Sequence, residues 1–207
     1  KVNITKTPEY AVACPSWDPN GEKIVYMASR DNELLEYDIY AINSNGTGKI
    51  RLTSRGQFNG FPEWSPDGKL IAFVTDVNGS FELFIMNSDG TEQRYITTLT
   101  KNREAVEALA LSWAPDGSKI AFTSDREGTF DIYVVLLSDG EIVNLSKENS
   151  SDEAFPNWSP DGKRIAFVLH KDGNTSICIM DSDGSGKAVV SPSVVNVGSL
   201  DWSGVLY

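Results

Sequence analysis

Five tryptophans, Trp17, Trp64, Trp113, Trp158 and Trp202, are spaced 47, 49, 45 and 44 residues apart. The text around them recurs as SWDPNGEKIVY, EWSPDGKLIAF, SWAPDGSKIAF and NWSPDGKRIAF. A period near 46 residues fixes the architecture before any local assignment, because each unit must bury its faces against its neighbours.

The second unit parses into four short strands: Phe61 to Ser65, Lys69 to Asp76, Phe81 to Asn87 and Thr91 to Thr97. Pro66-Asp67-Gly68 suits a tight turn: proline fixes φ, aspartate bonds the backbone two residues on, and glycine takes positive φ. Asn78-Gly79 and Asp89-Gly90 mark two further hairpins. Lys69 to Val74 is apolar almost throughout, as expected of a strand covered on both faces. Four-stranded units that stack radially give a propeller. The sequence therefore predicts an all-β fold, a single β-propeller domain over 1–207 made of four-stranded antiparallel blades. Four are complete, at about 10–54, 58–99, 107–147 and 152–192, and 197–207 is partial. Arg103 to Leu109 could add one helical turn in a loop.

Lys1-Val2-Asn3-Ile4-Thr5-Lys6 echoes Ile142-Val143-Asn144-Leu145-Ser146-Lys147. Residues 1–6 thus read as the outermost strand of an incomplete or closing blade, and a chain cut from a longer propeller is expected. Apolar blade faces at the ends of an open ring would favour a homo-oligomer.

These residues carry a resemblance. Trp113-Ala114-Pro115-Asp116-Gly117, Ser124-Asp125, Asp131-Ile132-Tyr133 and Ser138-Asp139-Gly140, with Asp38-Ile39-Tyr40 and Arg51-Leu52-Thr53, resemble the TolB-type propeller repeat, a WD-like blade, over almost the entire chain. The resemblance implies a non-catalytic scaffold that binds a protein or peptide, in a periplasmic or extracellular setting. The alternative it implies is the non-catalytic propeller of a larger serine peptidase or other hydrolase. TolB proteins add an α/β domain and six blades, and such peptidases add a G-x-S-x-G nucleophile elbow; none of these lies in the 207 residues.

Eighteen basic against 29 acidic side chains leave a net charge of −11. That disfavours nucleic acid and anionic lipid, which need Lys and Arg to displace counterions, and favours a basic partner. No apolar run approaches the roughly 20 residues that span a bilayer, so no membrane insertion is expected. Cys14 and Cys178 read as unpaired thiols rather than a disulfide. Asn-x-Ser/Thr sequons begin at Asn3, Asn45, Asn78, Asn144, Asn149 and Asn174, several of them at turns that need Asn in any compartment.

The repeated tryptophans are expected to pack between blades. Asp67, Asp116, Asp161, Asp89, Asp139 and Asp183 are expected to cap turns; even Asp181-Ser182-Asp183-Gly184 lacks the alternating oxygen ligands of a calcium loop. His170, the only histidine, is placed in a loop after a second strand, which leaves neither a histidine-rich metal site nor a Ser-His-Asp arrangement. No phosphate-binding loop follows any strand, so no metal, no cofactor and no catalysis are expected. Recognition should fall where the repeats diverge. The loops before each Trp and the residues preceding it nominate Ser16, Phe58, Glu63, Glu107, Ser112, Glu153, Asn157 and Asp201 as an acidic rim for a basic or amine-bearing peptide.

Overall fold

The computed structural model describes residues 3–6, 11–29, 36–55, 58–102, 109–147, 151–192 and 200–202. The described residues form four antiparallel four-stranded sheets, each pairing its strands in chain order, and contain no helix. They are β1 to β4 (Val12–Trp17, Lys23–Ser29, Tyr37–Asn43, Ile50–Arg51), β5 to β8 (Asn59–Trp64, Leu70–Thr75, Phe81–Asn87, Arg94–Thr100), β9 to β12 (Leu111–Trp113, Lys119–Ser124, Asp131–Leu136, Ile142–Asn144) and β13 to β16 (Asp152–Trp158, Arg164–Lys171, Asn174–Asp181, Ala188–Ser191). The expected all-β blades are present. The partial last blade reaches the description only at Leu200, Asp201 and Trp202, and the helical turn expected near 103–109 lies outside it except for Leu109.

The chain divides into two compact units, Lys1–Arg103 and Glu104–Tyr207, each holding two blades. In the first, Val25, Ile39, Ala41 and Leu52 of one blade interlock with Trp64, Ile71, Phe73 and Met86 of the next. In the second, Ala114, Ala121, Ile132, Val134 and Leu145 receive Trp158, Ile165, Phe167, Cys178 and Met180. The same repeat positions do the same work in both. Trp64 and Trp158 are each 6 % exposed, as the between-blade reading requires, whereas Trp17 is 56 % exposed. Cys14 and Cys178 are not joined by a disulfide.

The turns follow the sequence chemistry. Asp67 Oδ1 accepts from the Ser65 hydroxyl at 2.7 Å and from the Lys69 amide at 3.1 Å. Asp116 caps Ser118, Asp161 caps Ser159 and Lys163, Asp89 caps Thr91, Asp139 caps Glu141, and Asp183 caps Ser185. Hydrogen bonding to the charged form lowers a carboxyl pKa. Asp67 is held at about 2, chiefly by the Ser65 hydroxyl, and Asp89, Asp116, Asp161 and Asp183 are lowered by the same kind of contact. Their folded pKa values lie below the unfolded value of about 3.9. The stability they contribute is therefore present above about pH 4 and lost as pH falls towards about 2. Urea midpoints are expected to be flat from pH 6 to 5 and to drop below pH 4. Midpoints unchanged down to pH 2 would show that these caps contribute nothing.

Blades also approach closely at the last turn. Gly184, with φ +86°, sits where a Cβ would come within 2.6 Å of the Leu145 carbonyl oxygen, so glycine is required for space as well as conformation. Gly90 meets Leu52 and Gly46 meets Ile4 in the same way. The N-terminal echo is therefore visible in atoms. Asn3 Oδ1 accepts from the amides of Thr5 and Lys6, as Asn144 Oδ1 does from Ser146 and Lys147. Lys6 and Lys147 share a left-handed φ of 51° and 52°. Residues 3–6 form this turn and no strand; residues 1–2 lie outside the description.

Candidate functional site

Each unit buries an aspartate near the seam between its blades, and in the first unit that aspartate ties the two blades together. In the first unit Asp38, wholly buried, accepts from the Thr53 hydroxyl at 3.0 Å and from the Asn59 amide at 3.2 Å, and pairs with Arg51 at 2.5 Å. Thr53 closes the same blade and Asn59 opens the next, so one carboxylate joins three strands. In the second unit Asp131, 1 % exposed, accepts from the Ser146 hydroxyl at 3.1 Å and from the Asn144 amide at 2.9 Å. These are the aspartates of the two Asp-Ile-Tyr triplets. Their role is missed by sequence reading because the partners lie 13 to 21 residues away.

Within a blade, the described rim candidates do not share one end. Each inner strand runs from the connection between blades to the Trp-x-Pro-Asp-Gly turn, and the set mixes its two ends. Phe58 bonds through its amide to Asp76 at the hairpin end, while Glu63 stands opposite Ala72, next to the other turn. The six residues of β5 at about 3.3 Å each hold them apart.

Individual placements narrow the set further. Phe58 is 8 % exposed and packs its ring against Tyr37, Phe61 and Phe81, so it belongs to the core. Ser16 accepts the Trp64 amide at 3.3 Å and Ser112 the Trp158 amide at 3.1 Å, which satisfies an exposed strand edge from the preceding blade. The Asn157 carbonyl accepts the Trp202 indole N–H at 3.0 Å. Glu153 is 1 % exposed and pairs with Lys187 at 3.4 Å; burial pushes its carboxyl up, against the lowering effect of Ser146 and Lys187. Glu63 is half-buried, Asp201 is exposed, and Glu107 lies outside the described residues.

What the second unit does bring together is a polar cleft of about 530 Å³, lined by Thr129, Ser151, Asp152, His170, Lys171, Asp172, Gly173, Asn174 and Thr175. It lies at the end of the blades where the inter-blade connections meet the hairpins between second and third strands. Its geometry comes from one local change. Asp172 and Gly173 both have positive φ, 51° and 75°, the pattern of a type I′ two-residue turn, with Lys171 and Asn174 as the flanking pair. So tight a turn lets β14 and β15 run eight residues each, against six in β10 and in β11.

His170 is therefore not in a loop, as the sequence suggested, but in β14, with Asp152 opposite it on β13 and Thr175 on β15. It takes the repeat position of Asp76. In the earlier blade Asp76 accepts the Phe58 amide at 2.9 Å; here Asp152 accepts the Phe130 amide at 3.0 Å, and His170 Nδ1 shares a 2.9 Å hydrogen bond with the Thr175 hydroxyl. Ser151 Oγ is buried, the residue being 5 % exposed, and has no hydrogen-bond partner among the described residues. The described residues hold no group of three or more His, Cys, Asp or Glu side chains suited to a metal ion.

The model of the TolB beta propeller domain matches residues 2–108 and 102–201. Dipeptidyl-peptidase 5 of Porphyromonas endodontalis is 35 % identical over 88 residues, 41 % of this chain and 13 % of that protein. The uncharacterized peptidase YuxL of Bacillus subtilis is 32 % identical over 95 residues, 43 % of this chain and 14 % of that protein. The crystal structure of TolB from Acinetobacter baumannii superimposes with a TM-score of 0.75 at 29 % identity, covering 88 % of this chain and 44 % of that one. The chain thus spans about one seventh of these two peptidases and under half of TolB. With the repeat residues matched along nearly its whole length, the chain belongs to the TolB beta propeller domain family.

Proposed function

We propose that this chain is a non-catalytic binding scaffold that holds a peptide segment of a partner protein at the end of its blades where the connections meet the second-to-third-strand hairpins. The observation that carries this reading is the division of labour within the repeat. Trp64 and Trp158, the turn aspartates and the Asp-Ile-Tyr carboxylates are engaged in building seams and turns. The hairpin end differs from blade to blade, and in the second unit it opens into a polar cleft. A scaffold with divergent residues on one face is a common way to specify a partner. The net charge of −11 favours a basic segment through long-range attraction.

The matches to peptidases favour a second reading, a propeller that serves a larger hydrolase. Both readings place binding, not bond cleavage, on these blades.

Selection of peptides from a randomised display library against the immobilised protein separates binding from its absence. Sequences enriched in Lys and Arg are expected. Thr129→Tyr, which puts bulk into the cleft, is expected to weaken the selected peptides at least about tenfold, a loss of about 1.4 kcal/mol. Lys163→Ala, in the Asp161 turn at the other end of the same blade, should leave them unchanged. No enrichment, or equal affinity for the Thr129 variant, would defeat the proposal.

A further inference from the structure

The cleft in the second unit has a chemistry narrower than polar, and it rests on the binding role proposed above. Two carboxylates, Asp152 and Asp172, share it with the hydroxyls of Thr129, Ser151 and Thr175, the amide of Asn174, His170 and Lys171, and among the described residues no Phe, Tyr or Trp lines it. A sugar commonly stacks on such a ring. A mixture of acceptors, donors and hydroxyls around paired acids instead matches the end of a peptide, which offers an ammonium group beside alternating N–H and C=O. Ser151 adds the second, independent observation. A buried hydroxyl without a partner costs stability unless a ligand or water completes it.

We infer that this cleft is a receptor for the free amino terminus of an extended peptide. The ammonium lies against the carboxylates of Asp152 and Asp172, and the Ser151 hydroxyl donates to the first peptide carbonyl. Asp152 is pre-positioned for this. Its Oδ1 is fixed by the Phe130 amide at 3.0 Å, and the neighbouring Glu153 amide donates to the Phe130 carbonyl at 2.7 Å, so both sides of the segment are held. The type I′ turn holds Asp172 at the tip of the longer hairpin, on the other side of the cleft. A charge-assisted contact of this kind distinguishes a charged amine from a neutral amide.

The experiment uses two tetrapeptide libraries of the same composition, one with free amino termini and one acetylated, against the full chain, with titrations followed by amide chemical shifts. The free-amine library is expected to bind at least about tenfold more tightly, with shifts at Ser151, Asp152 and residues 170–175. Asp152→Asn and Asp172→Asn are each expected to remove most of that preference, and Ser151→Ala to weaken the free-amine library severalfold. Retention of the remaining amide spectrum separates these effects from loss of fold. Equal affinity for the two libraries, with the shifts still in the cleft, would overturn the amino-terminus assignment while leaving peptide binding intact. Absence of binding by either library would overturn both. Binding by glucosamine but by neither library would identify the cleft as a site for amino sugars and overturn the assignment as well.

Discussion

Truncating Trp64 or Trp158 to alanine is expected to cost about 3–5 kcal/mol, whereas Trp17→Ala is expected to cost under about 1 kcal/mol. The three side chains occupy one repeat position, so local propensity and turn context are matched. What differs is burial: 6 % exposure for the first two against 56 % for Trp17. Trp64 fills a space bounded by Val25, Ile39 and Leu52, and Trp158 one bounded by Ala121, Ile132 and Leu145. Removing either ring leaves a cavity that rigid sheets cannot collapse into. Urea titrations of the three variants decide the matter, and similar losses at all three positions would refute packing between blades as the source of the effect.

The second large effect is expected at the Asp-Ile-Tyr carboxylate. Asp38→Ala should destabilise by about 3 kcal/mol, because it takes the acceptor from the buried Thr53 hydroxyl, removes the Arg51 partner and cuts one of the Asn59 amide's hydrogen bonds. The ion pair itself supplies the smaller share, since the Arg51 side chain is 42 % exposed and screened by water. Asp38→Asn keeps one acceptor and should lose less. Asp131→Ala should also destabilise, as Ser146 stands where Thr53 does and Asn144 where Arg51 does. Denaturant midpoints for the three variants test this; losses below about 1 kcal/mol would show that the buried aspartates are incidental.

The blades were legible in the sequence because their determinants are local. A Pro-Asp-Gly turn reads out over three residues and an apolar strand over six, and the repetition in every unit reinforces each of them. The candidate site was legible only in part. Separating Phe58 from Glu63 requires knowing that an inner strand carries its two ends to opposite ends of the blade. Glu153 looks like surface charge until β13 places it beside Ser146 and within reach of Lys187. The sequence alone places His170 in a loop, whereas the Asp172-Gly173 turn is only two residues long and returns its neighbours to the strands. The buried aspartates stood inside a recognised motif, yet their partners come from other strands, and no spacing along one strand reports that.

The most direct test of the scaffold account is hydrogen–deuterium exchange of the chain with and without a peptide from the library selection. Protection is expected at 127–130, 151–153 and 170–175, at the hairpin end, with the turns around Asp67, Asp116 and Asp161 unchanged. Protection concentrated at those turns, or spread evenly over both ends, would contradict the assignment of frame and recognition to opposite ends of the blades.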